Sequence, residues 1–274
     1  RDGIEHMMAF AGGETVTPLT EVGSVGKRNT GTAIAFWPDA RFFDSTKIAV
    51  PRLKHLLRAK AVLCPGLTVT LVDEAADERL TWCYEDGLSD YLATEMAGAE
   101  LVPAEAIIGR RSGQEEAVEW ALQWRIDDGE PLAESYVNLV PTREGGTQVS
   151  GLRQGVLEAF REFCDFRNLL PRGVKLAAED VMDGCAYLLS LKMSDPQFAG
   201  QTKERLSSRS ATPFVSGAVR DALALWLNQH PETAERLAQN AIERAQRRQR
   251  AAKKVVRKKI AGGPPLPGKL ADCT

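Results

Sequence analysis

The chain has 274 residues, 43% of them hydrophobic and 26% charged, with a formal net charge of −2. This is globular composition with enough residues for one large core or two modest ones, which excludes disordered and collagen-like classes. No apolar run approaches the roughly 20 residues that a membrane-spanning helix needs, so no membrane partner is expected. The chain opens on Arg1-Asp2-Gly3 without an initiator Met or a charged-then-apolar leader, so we expect a fragment with an upstream part missing rather than a secreted precursor.

In chain order, Thr32 to Trp37 reads as a buried strand ended by Pro38-Asp39. From Pro51 to Leu63 the apolar Leu53, Leu56, Leu57, Val62 and Leu63 recur at helical spacing, stopped by Pro65-Gly66. Leu67 to Val72 alternates with period two, and Arg79 to Tyr84 pairs with it as a hairpin. A short helix follows Asp86-Gly87, then Gly98 to Gly113 reads as a loose stretch broken by Pro103 and Gly109. Strands are expected at 117–124, 135–140 and 185–193, with a helix over about 148–166 that follows the Gly145-Gly146 turn. The last part is helical. One helix covers Phe214 to Asn228, and Pro231 starts another that Gly262-Gly263-Pro264-Pro265 ends.

That final helix carries Ala234, Leu237, Ala238, Ala241, Ile242 and Ala245 on one stripe, which docks. Between Arg244 and Lys259 it holds nine basic residues and no acidic one, while the remaining 26 basic residues face 37 acidic ones, a balance near −11. Such a concentrated cationic segment on an acidic body suits either a polyanion contact or a solvated helical face, and we expect this second half of the helix to project as an arm. The five cysteines lie at 64, 83, 164, 185 and 273 without CxxC pairing, and the three histidines have no metal-ligand spacing. Reduced structural thiols and no metal site are therefore expected.

No Ser/His/Asp arrangement, Walker loop or GxGxxG is present. One loop stands out. Asp195 to Lys203 follows a buried strand and sets Gln201 and Lys203 two residues apart on an exposed turn. An amide donor beside an ammonium suits capture of a terminal phosphate. From spacing alone the better reading of Lys203 is an ordinary solvated charge beside Glu204.

The run Phe198-Ala199-Gly200-Gln201-Thr202-Lys203-Glu204-Arg205-Leu206 resembles the QTK loop of the B subunits of bacterial type II topoisomerases. Gly31-Thr32 leading into Phe36-Trp37-Pro38-Asp39 resembles the last strand region of that family's ATPase domain. Asn138 to Thr147, with Gly151 and Gly155 following, resembles the start of its long transducer helix, and Leu266 to Cys273 the beginning of its cleavage domain. Lys27 to Thr32 and Ala251 to Lys259 look more like the topoisomerase IV member of the family than the gyrase member.

The resemblance implies an α+β fold: a partial ATPase domain of Bergerat type (1–90) and a small-ribosomal-protein-like α/β transducer domain with a left-handed crossover (91–230). A basic linker helix (231–262) and the start of a cleavage domain (263–274) follow. It implies that Lys203 and Gln201 contact the γ-phosphate of ATP, with Lys203 stabilising its charge, and that Thr32 lies near the adenine. It also implies that Mg²⁺ is held by residues outside this chain. Arg247, Arg248, Arg250, Lys253, Lys254, Arg257, Lys258 and Lys259 would contact double-stranded DNA. The implied partners are the A subunit of topoisomerase IV and a second copy of the B subunit, in the cytoplasm at the nucleoid. The chain alone is then expected neither to hydrolyse ATP nor to cut DNA. The B subunit of gyrase and a non-catalytic nucleic-acid-binding module are the alternatives.

Overall fold

The computed structural model describes residues 2–261, with side chains through residue 252. Contacts divide the chain into two compact units that meet between Leu53 and Lys54.

In the first unit, β1 (Ile4–Ala11) and β2 (Glu14–Ser24) form an antiparallel hairpin turned by Gly12-Gly13. Most of its large apolar side chains, among them Phe10, Val16 and Leu19, are exposed. Residues 32–37, expected as a buried strand, are irregular, and Ile34 and Trp37 are 83% and 85% exposed. The composition suits a strand, but a strand exists only with a ladder partner, and no described residues pair with this segment. Thr32 accordingly sits exposed on irregular backbone.

The second unit is built on a five-stranded sheet of order β5-β6-β9-β7-β8. Its strands are β5 (Leu101–Ser112), β6 (Glu116–Arg125), β7 (Ala133–Val137), β8 (Val140–Pro141) and β9 (Cys185–Met193). Neighbours are antiparallel except β7 and β9, which run parallel. A parallel pair needs a crossover. It is supplied by α3 (Thr147–Phe166) and the short α4 (Ala178–Met182).

Side chains alternate across the sheet with the period of two that strand geometry imposes. Val118, Trp120, Leu122 and Trp124 of β6, with Leu189 and Leu191 of β9, join a core with α3, α5 (Ala211–Gln229) and α6 (Pro231–Ala261). Ala121, Tyr136, Ala186 and Leu188 point the other way. There they meet α1 (Val50–Leu63) and α2 (Leu88–Glu95), beside the hairpin of β3 (Val69–Asp73) and β4 (Glu78–Trp82). Residues 59–96 thus pack as a layer on the sheet, and the contacts do not divide the chain near residue 90.

On the opposite face α3 and α5 pack at close range. A Cβ added at Gly151 would lie 2.6 Å from the Thr212 carbonyl oxygen, and one at Gly155 would lie 2.6 Å from that of Ser216. Only glycine permits this backbone-to-backbone approach along α3.

Candidate functional site

β9 is the central strand, and the loop expected to carry the chemistry leaves its C-terminal end at Met193. The loop folds back on itself. Phe198 bridges Leu206, the Ala199 amide donates to the Arg205 carbonyl (2.9 Å) and the Ser207 amide donates to the Gln197 carbonyl (2.8 Å). Gly200 to Lys203 is the turn that closes this narrow platform, with the Lys203 amide donating to the Gly200 carbonyl at 3.1 Å. Both predicted residues, Gln201 and Lys203, are exposed on it. Lys203 has φ +57°, a left-handed conformation uncommon for a side chain of this size. Its Nζ lies 5.9 Å from the centre of the Phe198 ring, within cation–π range.

The returning leg of the loop is pinned at depth. Leu206 is 1% exposed, within the α3/α5 core. Its backbone pairs with the residues that lead into α3: the Leu206 amide donates to the Gly145 carbonyl (3.1 Å) and the Thr147 amide to the Leu206 carbonyl (3.1 Å). The Glu144 amide adds a third bond, to the Glu204 carbonyl at 3.0 Å. A Cβ on Gly146 would sit 2.3 Å from the Leu206 carbonyl oxygen, so this seam closes only over glycine. Gly145-Gly146, read from sequence as a turn, therefore also forms the bed of the loop.

Beneath that bed lies a buried polar cluster that the sequence did not reveal. The Gln148 Nε2 donates to Thr142 Oγ1 (2.9 Å), to the Gly145 carbonyl (3.2 Å) and to Ser135 Oγ (3.4 Å). Ser135 Oγ and Thr142 Oγ1 are 2.7 Å apart. The one legible signal was Gln148 on the inward stripe of α3, three residues beyond Gly145.

The basic helix differs from expectation. α6 does not project from midway, because its docked face continues to Gln249. Arg244 pairs with Asp183 at 2.7 Å. Arg248 grips the buried Asp180 in a two-pronged pair at 2.9 and 2.7 Å and approaches Glu179 at 3.4 Å. The hydrogen bond from Arg248 to Asp180 raises the pKa of the guanidinium further above its ordinary value. Arg248 is thus an anchor of α6 on α4, its guanidinium paired with Asp180. Arg247 and Arg250 are exposed. Lys253, Lys254, Arg257, Lys258 and Lys259 have side chains outside the described residues. The turn lies in the second unit and Thr32 in the first, so no geometry links them.

The family model for DNA gyrase B matches residues 87–256. The chain belongs to this family. It is 61% identical to the B subunit of DNA topoisomerase 4 from Salmonella typhimurium and from Escherichia coli, over all of this chain and 44% of each relative. The corresponding protein of Pseudomonas aeruginosa is 59% identical, with 43% of its length covered. The chain thus spans less than half the length of these relatives. Among solved structures, a topoisomerase IV ATP-binding domain from Francisella tularensis, bound to a small-molecule inhibitor, superposes with TM-score 0.77 at 39% identity. The match covers 90% of this chain and 67% of that one. The 43K ATPase domain of Thermus thermophilus gyrase B, bound to an aminocoumarin, gives 0.75 at 25% identity over 93% and 69%.

Proposed function

We propose that this chain is the nucleotide-sensing part of an ATP-dependent type II DNA topoisomerase, in a B subunit of topoisomerase IV type. The observation that carries the reading is the turn 200–203: an exposed amide and an exposed ammonium at the tip of the loop that follows the central strand, braced by the α3 seam. Such a turn can serve as one wall of a phosphate site. Lys203 supplies charge to the terminal phosphate and Gln201 orients it, so the turn is held while the phosphate is present and released when it leaves. The division into ATPase remnant, transducer, linker and cleavage-domain start, with Thr32 toward the adenine, belongs to the same proposal. High identity to the B subunits of topoisomerase 4 favours decatenation over the gyrase alternative.

Mg²⁺ held with the nucleotide would supply positive charge to the reacting phosphate. The described residues bring together no three His, Cys, Asp or Glu side chains able to hold it, so no step here runs through the ion. Arg247 and Arg250, with Lys253, Lys254, Arg257, Lys258 and Lys259, are proposed to contact duplex phosphates in an enzyme that also contains the A subunit and a second B copy, acting on the nucleoid in the cytoplasm. If about five of them do so, log affinity falls with log salt at a slope near −4.5.

The test is steady-state ATP hydrolysis by the full-length protein. Lys203→Ala is expected to lose about 10²-fold, typical of removing a positioned charge-stabilising donor. Unchanged hydrolysis would leave Lys203 a surface lysine and end the mechanism. If no longer version hydrolyses ATP, the binding-module reading replaces it.

A further inference from the structure

We propose that Gln148 is a positioning residue for the phosphate-sensing turn, acting through the seam that beds the loop; this rests on the function proposed above. Gln148 lies in the first turn of α3, fully buried, and its single amide nitrogen reaches three acceptors. One is the Gly145 carbonyl, which also accepts from the Leu206 amide. The same oxygen therefore ties the amide of Gln148 to the returning leg of the loop. The other two, Ser135 Oγ and Thr142 Oγ1, belong to the middle of β7 and to the residue that follows β8. The Thr142 amide in turn donates to the Ser135 carbonyl at 2.8 Å, and the Gly145 amide to the Thr142 carbonyl at 2.9 Å. Gln148 is the node at which sheet, helix start and loop bed meet.

The Gln148 Oε1 is buried without a hydrogen-bond partner, and an unpaired buried acceptor is destabilising. A methionine of similar shape would fill the same space without that penalty, because it brings no strong acceptor. What the amide supplies and an apolar side chain cannot is a fixed direction for the Gly145 carbonyl. That direction sets the register of Leu206, and Lys203 stands three residues before Leu206. An exposed turn has few contacts of its own to hold it, so its placement depends on such a bed.

The experiment is ATP hydrolysis by the full-length protein carrying Gln148→Met, with Lys203→Ala measured beside it and amide hydrogen exchange followed on the same proteins. A kcat lowered about tenfold, with KM for ATP within about twofold, is expected from loss of one net hydrogen bond felt when the turn engages. The Leu206 and Thr147 amides should exchange faster, while the β6–β9 amides keep wild-type protection. Faster exchange throughout β6 and β9 would mean general loosening and would overturn the proposal. So would wild-type kcat in Gln148→Met while Lys203→Ala is inactive, an outcome that leaves the proposed function standing. Unchanged hydrolysis in Lys203→Ala would remove both. Should Gln148→Met fail to fold, Thr142→Val and Thr142→Ser decide. The serine retains the hydroxyl that receives the Gln148 amide and is expected to restore most of the kcat that valine loses. Equal kcat in the two would overturn the assignment.

Discussion

Gly155→Ala sets two known effects against each other at one atom. In a helix interior the substitution alone stabilises by about 1 kcal/mol, because alanine has less backbone freedom to lose. Here the new Cβ would stand 2.6 Å from the Ser216 carbonyl oxygen, 2.9 Å from Val219 Cβ and 3.2 Å from the Arg220 amide nitrogen. Two of those atoms are backbone of α5, so relief requires one helix to move from the other. Overpacking a tight core costs about 1–3 kcal/mol, and an immovable backbone puts this site at the upper end. The net expectation is a loss of about 1–2 kcal/mol, or roughly 2–8 °C in Tm. Gly217 in α5 is the internal control. Its added Cβ would meet only Arg111 Nη1 at 3.5 Å, so Gly217→Ala should stabilise by up to about 1 kcal/mol. Urea unfolding followed by circular dichroism reads both. If Gly155→Ala matches or exceeds wild type, α3 and α5 are not in backbone contact and the packing argument fails.

Two further outcomes follow from buried groups. Arg248→Ala leaves the Asp180 carboxylate buried without its guanidinium and should cost about 1–3 kcal/mol in thermal unfolding. Adding Asp180→Asn should cost less than the sum of the two single changes, and strict additivity would refute the pair. Burial pushes the Cys164 thiol up to about 11 and raises that of Cys185 as well, whereas Cys83 is exposed. A thiol reagent at pH 8 should therefore label Cys83 quickly, and Cys164 and Cys185 only at the rate of unfolding, as mass spectrometry of the labelled peptides would report.

Much of this architecture was legible where side-chain period and punctuation agree. β9 was expected over 185–193 and spans those residues, and α6 begins at Pro231 as its first-turn proline indicates. β5 was missed because Pro103 and Gly109 read as breakers. Both have a place in it: β5 is an edge strand with a register shift between Val102 and Ile107, where a proline is tolerated. At Gly109 an added Cβ would lie 2.2 Å from the Trp120 ring, so the indole takes up that space. Residues 32–37 failed in the opposite sense, since pairing is a property of two segments and only one was in view. The turn bearing Gln201 and Lys203 was legible as a motif, but its bed was not. The partners of Leu206 lie some sixty residues earlier. The same distance hid Arg248, whose acidic partners sit on α4, far outside the basic run that made it look free.

The position of β9 has a mechanical consequence. A strand at a sheet edge, pulled at its end, can peel away one hydrogen bond at a time. β9 is flanked by β6 on one side and β7 on the other, so a load applied along it from the loop is a shear that strains both ladders together. Tension at the turn is then borne by three strands at once and by the helices packed on them. A tug of molecular size on Lys203 would drag the sheet as a block rather than unravel the strand that carries it.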